Sequence, residues 1–366
     1  MGRIRALAVA GGGTGGHLFP GLAIAREFRR RDADVRILFV GVAGKMEEEV
    51  IPASGMEFLG LKVRGLKGMA APGKLKGLFL AARAVMQCRS RLSSFRPELM
   101  VGVGGYSSGP AALAAWSMGI PLVLQEQNTV PGMTNRFLGR LARRIFLGFE
   151  EAAPFFPSGR TVVTGNPVRD DALGKERTAG EGPEMKVLVL GGSRGAQGLN
   201  RLVGSALPRI GDGGKDLIFI HQSGADDREW VEQAYGKSGL QAEVRAFIDA
   251  PGDAYGWADL VLSRSGAGAV SEIAANGKPA ILVPFPHAAG GHQGKNAEWL
   301  ARKGGAVIVE EKSAGAVERL AGILLELAGS RQRLREMAER SRKAGMRDAA
   351  ARIVTECHEL LNVQGG

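Results

Sequence analysis

The residues able to do chemistry sit in short polar or glycine-rich segments, each following an apolar run. GGGTGGH (11–17) ends in His17, whose neutral imidazole can take a proton from an attacking hydroxyl; standing alone it reads as an N-terminal helix cap. EQN (126–128) supplies Glu126, a second candidate base or orienter. GGSRGAQ (191–197) allows close backbone approach at Gly191 and Gly192 and offers the Ser193 hydroxyl. A helix opening near Gly195 aims its amide dipoles at an anion there. The bland alternative is a tight turn that binds nothing, and two such turns, one opening each half of the chain, weigh against it. SRSGAGAVSE (263–272) places Glu272 about two turns into a helix that begins near Gly266. That carboxylate either compensates the helix dipole or, beside a phosphate turn, accepts from a ribose diol. In HQGKN (292–296), Gln293 and Asn296 can donate and accept toward sugar hydroxyls and an acetamide, unless the segment is an ordinary polar loop.

Several chemistries are excluded. Gly11, Gly13 and Gly16 match G-x-G-x-x-G, but the second strand, VRILFVG (35–41), ends in Val40-Gly41 with no acid to hold a nicotinamide ribose. No GxxxxGK[ST] occurs, which removes a P-loop nucleotidase. The D-x-D string Asp32-Ala-Asp34 lies where a helix gives way to a strand, the wrong end for a ligand, and is expected to be a solvated turn. No other carboxylate or histidine spacing suits a metal, so neither metal nor cofactor is expected.

The elements that must position these residues follow one rhythm of strand, glycine-rich turn and helix. IRALAVA (4–10), VRILFVG (35–41), ELMVGVGG (98–105) and IPLVLQEQN (120–128) read as buried strands, and residues 17–31 have helical spacing. Near residue 166 the pattern restarts, with KVLVLGG (186–192), LIFIHQSG (217–224), DLVLSRSG (259–266) and PAILVPFP (279–286). TAGEGPEM (178–185) reads as a surface connection, and the charged tail, 312–363, as terminal helices. Continuous apolar strands alternating with helices predict an α/β protein of two doubly wound domains with parallel sheets. Ligands of such sheets bind beyond the carboxyl ends of the strands, where every candidate above falls. The two sets of loops are expected to face each other across one cleft.

Composition agrees. The chain has 366 residues, enough for two domains, and its 45% hydrophobic content excludes a disordered chain. Its 55 glycines cluster in loops that need bare backbone, and a net charge of +11 favours anionic partners. Cys88 and Cys357 are too far apart in sequence for a metal spacing, and are expected reduced and buried. The opening MGRIRALAVA reads as a first strand rather than a signal peptide, because its apolar run is short and glycines follow at once. Residues 99–125 are uncharged but broken by GGYSSGP and Pro121, so no membrane span is expected.

Between Glu57 and Glu98 no acidic residue occurs. Lys62, Arg64, Lys67, Lys74, Lys76, Arg83, Arg89, Arg91 and Arg96 alternate there with Leu66, Met69, Leu75, Leu78, Phe79 and Leu80. A basic, apolar-tipped loop and helix suits an anionic lipid surface, a solvated basic helix being the plain alternative. Nucleic acid is not expected, since aromatic stacking platforms and known DNA- or RNA-reading signatures are missing.

Taken together and in this order, GGGTGGHLFPGLAIA, GVGGYSSGP, EQNTVPGMTN, TGNPVR, GGSRGAQGLN and SRSGAGAVSEIAANGKPAILVPFPHAAGGHQGKNA resemble the MurG family of N-acetylglucosaminyltransferases. That family converts lipid I to lipid II in bacterial peptidoglycan synthesis, and the resemblance runs from residue 4 to past 340. It implies a GT-B fold, with an acceptor and membrane-associating domain over 1–165 and a UDP-GlcNAc-binding domain over 166–344. A last helix, about 345–363, would pack back on the first domain. It further implies that Thr14, Gly15 and Gly16 contact the donor sugar and phosphate side and that Asn128 contacts the sugar. Arg169 and Ser193 would meet the phosphates, the backbone of Ile248 would read the uracil, and Glu272 would hold the ribose. Gln293 would contact sugar hydroxyls with Asn296 nearby, and Tyr106 would lie on the acceptor side. His17 is the implied base; His292 stands where some members carry a second glutamine. The implied partners are UDP-GlcNAc, lipid I, the anionic cytoplasmic leaflet of the cell membrane, where the protein would sit peripherally, and other cell-wall synthesis proteins. The alternatives are a UDP-GlcNAc 2-epimerase or lipid galactosyltransferase on the same fold, or a binding module without catalysis.

Overall fold

The computed structural model describes residues 3–63, 71–175, 182–192 and 195–362, with the side chains of 71–78, 212 and 289 outside that description. The chain divides into two compact units, Met1–Val168 together with Asp348–Gly366, and Arg169–Arg347.

In unit one, β1 (Ala6–Ala10), α1 (Gly15–Arg31), β2 (Arg36–Val42), α2 (Glu47–Ala53), β3 (Glu57–Leu61) and α3 (Ala71–Phe95) are followed by β4 (Leu99–Gly102), α4 (Ser108–Ser117), β5 (Leu122–Glu126), α5 (Met133–Leu138), β6 (Arg144–Leu147) and β7 (Thr161–Val163). Among the described residues the strands form one sheet in the order β3-β2-β1-β4-β5-β6-β7, and the pairs are parallel. The order reverses between β1 and β4, the place where doubly wound sheets open a crevice at their carboxyl ends. Ala6, Ala8, Met100 and Leu124 pack on one face with Cys88 and Leu92 of α3, while Leu7, Val9, Val101 and Val123 pack on the other with Leu22 and Phe28 of α1. Burial on both faces is why these strands read as unbroken apolar runs.

Unit two contains β8 (Met185–Leu190), α6 (Gln197–Ile210), β9 (Leu217–Gln222), α7 (Arg228–Ser238), β10 (Gln241–Arg245), α8 (Pro251–Trp257), β11 (Leu260–Ser263) and α9 (Ala267–Ala275). It continues through β12 (Ala280–Leu282), α10 (His292–Arg302), β13 (Ala306–Ile308), α11 (Ala316–Gly329) and α12 (Arg331–Ala344). Its sheet order is β10-β9-β8-β11-β12-β13, the same winding as in unit one. α13 (Ala349–Asn362) closes the chain and belongs to unit one, where its Ile353, Val354 and Cys357 are buried in the cluster that holds α1.

β3, β6, β7, β10 and β13 were not anticipated from the pattern. They are short or lie toward sheet edges: β6, β7 and β13 span only three or four residues, and in β3 and β10 exposed or half-buried positions interrupt the run. The helix expected near Gly195 begins at Gln197. Asp32 corrects the expectation of a solvated turn: it is buried and its carboxylate lies 3.2 Å from Nε2 of His358 on α13, whereas Asp34 is exposed. The reason is tertiary, because α13 covers the C-terminal end of α1. Both cysteines are buried free thiols, and burial pushes the Cys88 thiol up to about 12.

Ile353→Ala, at a fully buried position of α13, is expected to lower the stability of unit one by about 2–5 kcal/mol in urea unfolding. A loss below about 1 kcal/mol would show that α13 does not share this core.

Candidate active site

The candidate residues of unit one gather at the carboxyl ends of β1, β4 and β5. β1 runs into the glycine turn, and α1 begins at Gly15 with exposed Thr14 as its N-cap residue; the Thr14 hydroxyl does not cap the helix. His17 is therefore in the first turn of α1. Its Nδ1 lies 3.0 Å from Oε1 of Gln127. The backbone of Gly104 and Gly105, beyond β4, runs close to the ring: a Cβ on Gly104 would stand 3.1 Å from the imidazole Cε1, and one on Gly105 would stand 2.4 Å from the Gly12 carbonyl oxygen. Both glycines have left-handed φ values, +90° and +85°. The two-glycine step is thus required by conformation and by the closeness of the imidazole. Tyr106, next in the chain, is exposed.

Glu126 ends β5 and is almost fully buried. One carboxylate oxygen accepts from the Asn128 N–H at 3.0 Å and from its side-chain amide at 3.3 Å; the other accepts from the Gly132 N–H at 3.3 Å and from Asn135 Nδ2 at 2.9 Å. Burial pushes the Glu126 pKa up against the opposing pull of these donors. The geometry makes this residue the organiser of the 126–135 loop that presents Asn128.

Glu47, at the start of α2, was not among the sequence candidates. Its side chain is fully buried beneath the glycine turn, and one oxygen accepts from the Gly13 N–H. An internal carboxylate thus uses a turn donor that a ligand anion would otherwise seek. The only sequence signal is its place in an acidic run after β2.

In unit two, Glu272 lies on α9, which begins just after Gly266, and its Oε2 accepts from the Tyr255 hydroxyl at 3.1 Å. Burial raises its pKa above the ordinary carboxylate range, while the Tyr255 hydrogen bond and the Arg169 charge act in the opposite direction. Arg169 itself clasps Asp171 through Nε at 2.7 Å and through Nη2. The Ile248 N–H donates to Gln222 Oε1 at 2.9 Å, and Gln222 Nε2 donates to the Gly192 carbonyl at 2.7 Å. Gln222 therefore ties the glycine turn to the Ile248 loop, a link that sequence spacing did not indicate. HQGKN is the first turn and a half of α10 rather than a loop. Gln293 Oε1 accepts from the Phe285 N–H at 2.9 Å, which leaves its amide nitrogen as the end able to meet a ligand. Asn296 is fully buried, with Nδ2 3.3 Å from the Ser265 carbonyl. Ser193, and Arg64 and Lys67 of the basic stretch, lie outside the described residues, as do the side chains of Lys74 and Lys76. Among the described residues no cluster of histidine, cysteine and acidic side chains is arranged to hold a metal.

Two doubly wound parallel units, with polar loops collected at strand carboxyl ends, define the GT-B class of glycosyltransferase folds. Residues 7–147 match the glycosyltransferase family 28 N-terminal domain and residues 186–353 match the family 28 C-terminal domain. The chain belongs to glycosyltransferase family 28. It is 42% identical over 356 residues to the UDP-N-acetylglucosamine–N-acetylmuramyl-(pentapeptide) pyrophosphoryl-undecaprenol N-acetylglucosamine transferase of Geobacter sulfurreducens, covering 96% of this chain and 97% of the relative. The protein of the same name from Myxococcus xanthus is 42% identical over 96% of this chain and 92% of its own length. The crystal structure of Acinetobacter baumannii MurG superposes with a TM-score of 0.80 at 29% identity, over 97% of this chain and 99% of that one. A Neisseria meningitidis UDP-GlcNAc 2-epimerase shares the fold alone, with a TM-score of 0.66 at 13% identity.

Gly105→Ala is expected to lower stability by about 1–3 kcal/mol, because the added carbon meets the Gly12 carbonyl and the positive φ becomes strained. Urea unfolding checks this, and a change below about 0.5 kcal/mol would mean that the turn yields without strain.

Proposed function

We propose that this protein transfers GlcNAc from UDP-GlcNAc to the 4-hydroxyl of the muramoyl sugar of lipid I, forming lipid II with inversion at the anomeric carbon. Near-full-length identity of 42% to transferases bearing that activity in their names carries the reading. In the reaction the acceptor oxygen bonds to the anomeric carbon, the bond from that carbon to the UDP oxygen breaks, and the hydroxyl proton goes to His17. Unit two holds the donor. Glu272 accepts hydrogen bonds from the ribose diol, and Ile248 addresses the uracil through its carbonyl, since its N–H is held by Gln222. Arg169, Ser193 and the N-termini of α6 and α9 offset the charge that develops on the departing diphosphate. Gln293 meets the sugar hydroxyls and acetamide through its amide nitrogen, and Asn296, fully buried against the Ser265 carbonyl, supports this end of α10 instead of touching the sugar. Unit one supplies the base, with Thr14, Gly15, Gly16 and Asn128 on the sugar side and Tyr106 on the acceptor side; Glu126 shapes the loop that carries Asn128.

We place the membrane-associating face on unit one. No helix among the described residues is long and apolar enough to cross a membrane. On α3, however, Phe79 and Met86 are 69% and 67% exposed, and Arg83 between them is exposed too. Residues spaced by four and three positions share a helix face, so an apolar pair flanking a cation is presented to the surroundings. We assign this face, with the basic stretch around it, to the anionic cytoplasmic leaflet that carries the acceptor.

Purified protein given labelled UDP-GlcNAc and a short-chain lipid I analogue is expected to form labelled disaccharide-lipid. Release of ManNAc would instead indicate an epimerase, and binding without turnover a non-catalytic module. In the same assay His17→Ala should cut kcat by about a hundredfold or more with donor KM nearly kept, and unchanged turnover would remove it as the base.

Glu272→Ala should raise donor KM far more than it lowers kcat. Because the raised Glu272 pKa starts protonation at a higher pH than for an ordinary glutamate, donor KM should climb as pH falls through that range, and Glu272→Gln should flatten the climb. A wild-type KM that is flat with pH would dissociate Glu272 from the ribose.

The double variant Phe79→Ser, Arg83→Glu should bind phosphatidylglycerol-containing vesicles more weakly in co-sedimentation. Undiminished binding would leave α3 a solvated basic helix.

A further inference from the structure

A chain of buried side-chain amides runs away from His17 with one polarity throughout. Gln127 Nε2 lies 2.8 Å from the Val103 carbonyl oxygen and 3.3 Å from that of Gln125. Backbone carbonyls only accept, so this end of the Gln127 amide is its NH2 group and the opposite end, 3.0 Å from His17 Nδ1, is its oxygen. At the far end, Asn166 Nδ2 lies 2.8 Å from the Gln127 carbonyl oxygen, which fixes the Asn166 amide by the same argument. Asn166 Oδ1 must then accept, and it does so from Gln125 Nε2 at 2.8 Å; Gln125 Oε1 in turn accepts from Gln127 Nε2. Gln125, Gln127 and Asn166 are all nearly inaccessible, so a reversed amide would bury unmatched donors and acceptors away from water. Both anchors of the chain are main-chain carbonyls, and neither can turn over.

We propose that Gln127 is a positioning residue for transfer: its fixed carbonyl holds His17 in the tautomer protonated at Nδ1 and keeps the lone pair on Nε2. The inference rests on His17 being the base. A neutral histidine can carry its proton on either nitrogen, and only one form leaves Nε2 able to accept a proton. Gln127 selects that form without a charge. A carboxylate in the same place would favour the imidazolium and so hold the base in its protonated, inactive state over a wider pH range. The amides of Gln125 and Asn166 keep the Gln127 carbonyl aimed at the ring.

The test reads the tautomer directly. Two-dimensional 15N spectra of uniformly labelled protein, with the His17 signals assigned by their loss in His17→Ala, should show the wild-type proton on Nδ1 at a pH where the ring is neutral. Gln127→Met removes the acceptor, and its spectrum should shift toward the Nε2-protonated form while kcat falls about tenfold or more with donor KM nearly kept. Gln127→Glu restores an oxygen opposite Nδ1 and should return the Nδ1-protonated signature. A wild-type proton on Nε2 overturns the proposal without any variant, as does a Gln127→Met spectrum and kcat like wild type. Full turnover in His17→Ala overturns the base assignment instead, and the two failures are told apart because the spectra do not depend on turnover.

Discussion

A parallel sheet covered by helices on both faces meets water only along its edges and at its two ends. That constraint governs both units. Side chains along the central strands are mostly apolar, as in β1, whose residues are all buried. Polar chemistry is displaced to the carboxyl-terminal end of each strand and the turn and helix that follow it, where chain direction within a unit brings these ends to the same side. His17, Glu126 and Gly104–Gly105 in one unit, and Glu272, Ile248 and Gln222 in the other, are consequences of that rule. Their spread over sequence is large, and their grouping within each unit follows from parallel winding.

Within unit one the polar end is organised by neutral groups as much as by charged ones. Glu126 is surrounded by N–H donors of its own loop, and Glu47 by the glycine turn above it, so these carboxylates are occupied in shaping backbone. The imidazole of His17 lies against bare glycine backbone and faces an amide. Unit two follows a similar plan, with Gln222 joining two loops and Tyr255 supporting Glu272. His17, Ile248 and Glu272 are held by the buried Gln127, Gln222 and Tyr255, which fixes their geometry before anything binds.

Much of this was legible in the sequence, and the remainder was hidden for definite reasons. The central strands and the helices following glycine turns could be read because burial on both faces leaves an uninterrupted apolar signature. The edge strands could not, since β10 alternates exposed and covered positions over five residues. At the site, the EQN motif points to Glu126 and Asn128, yet Gln127, on the alternate position, is the one that reaches His17, with Gln125 behind it. Side-chain alternation in an extended segment sends neighbours to opposite sides, and which side holds the histidine is decided by β4 and the turn after it, far away in sequence. The burial of Asp32 is hidden from the sequence for a similar reason, because the helix that covers it begins more than three hundred residues later. Pattern reading sees local periodicity; it does not see which distant element will arrive.

The return of α13 to the first unit makes that unit discontinuous, while the second is one uninterrupted stretch of chain. During synthesis on the ribosome, the second unit has its whole sequence available before the first does. The helix pair that sequesters Asp32 and Phe28 can close only when α13 emerges. Until then the α1 surface that Ile353, Val354 and Cys357 will cover is a bare apolar face on a nascent polypeptide, and the part of the molecule carrying His17 is completed only after the whole of the second unit has been made.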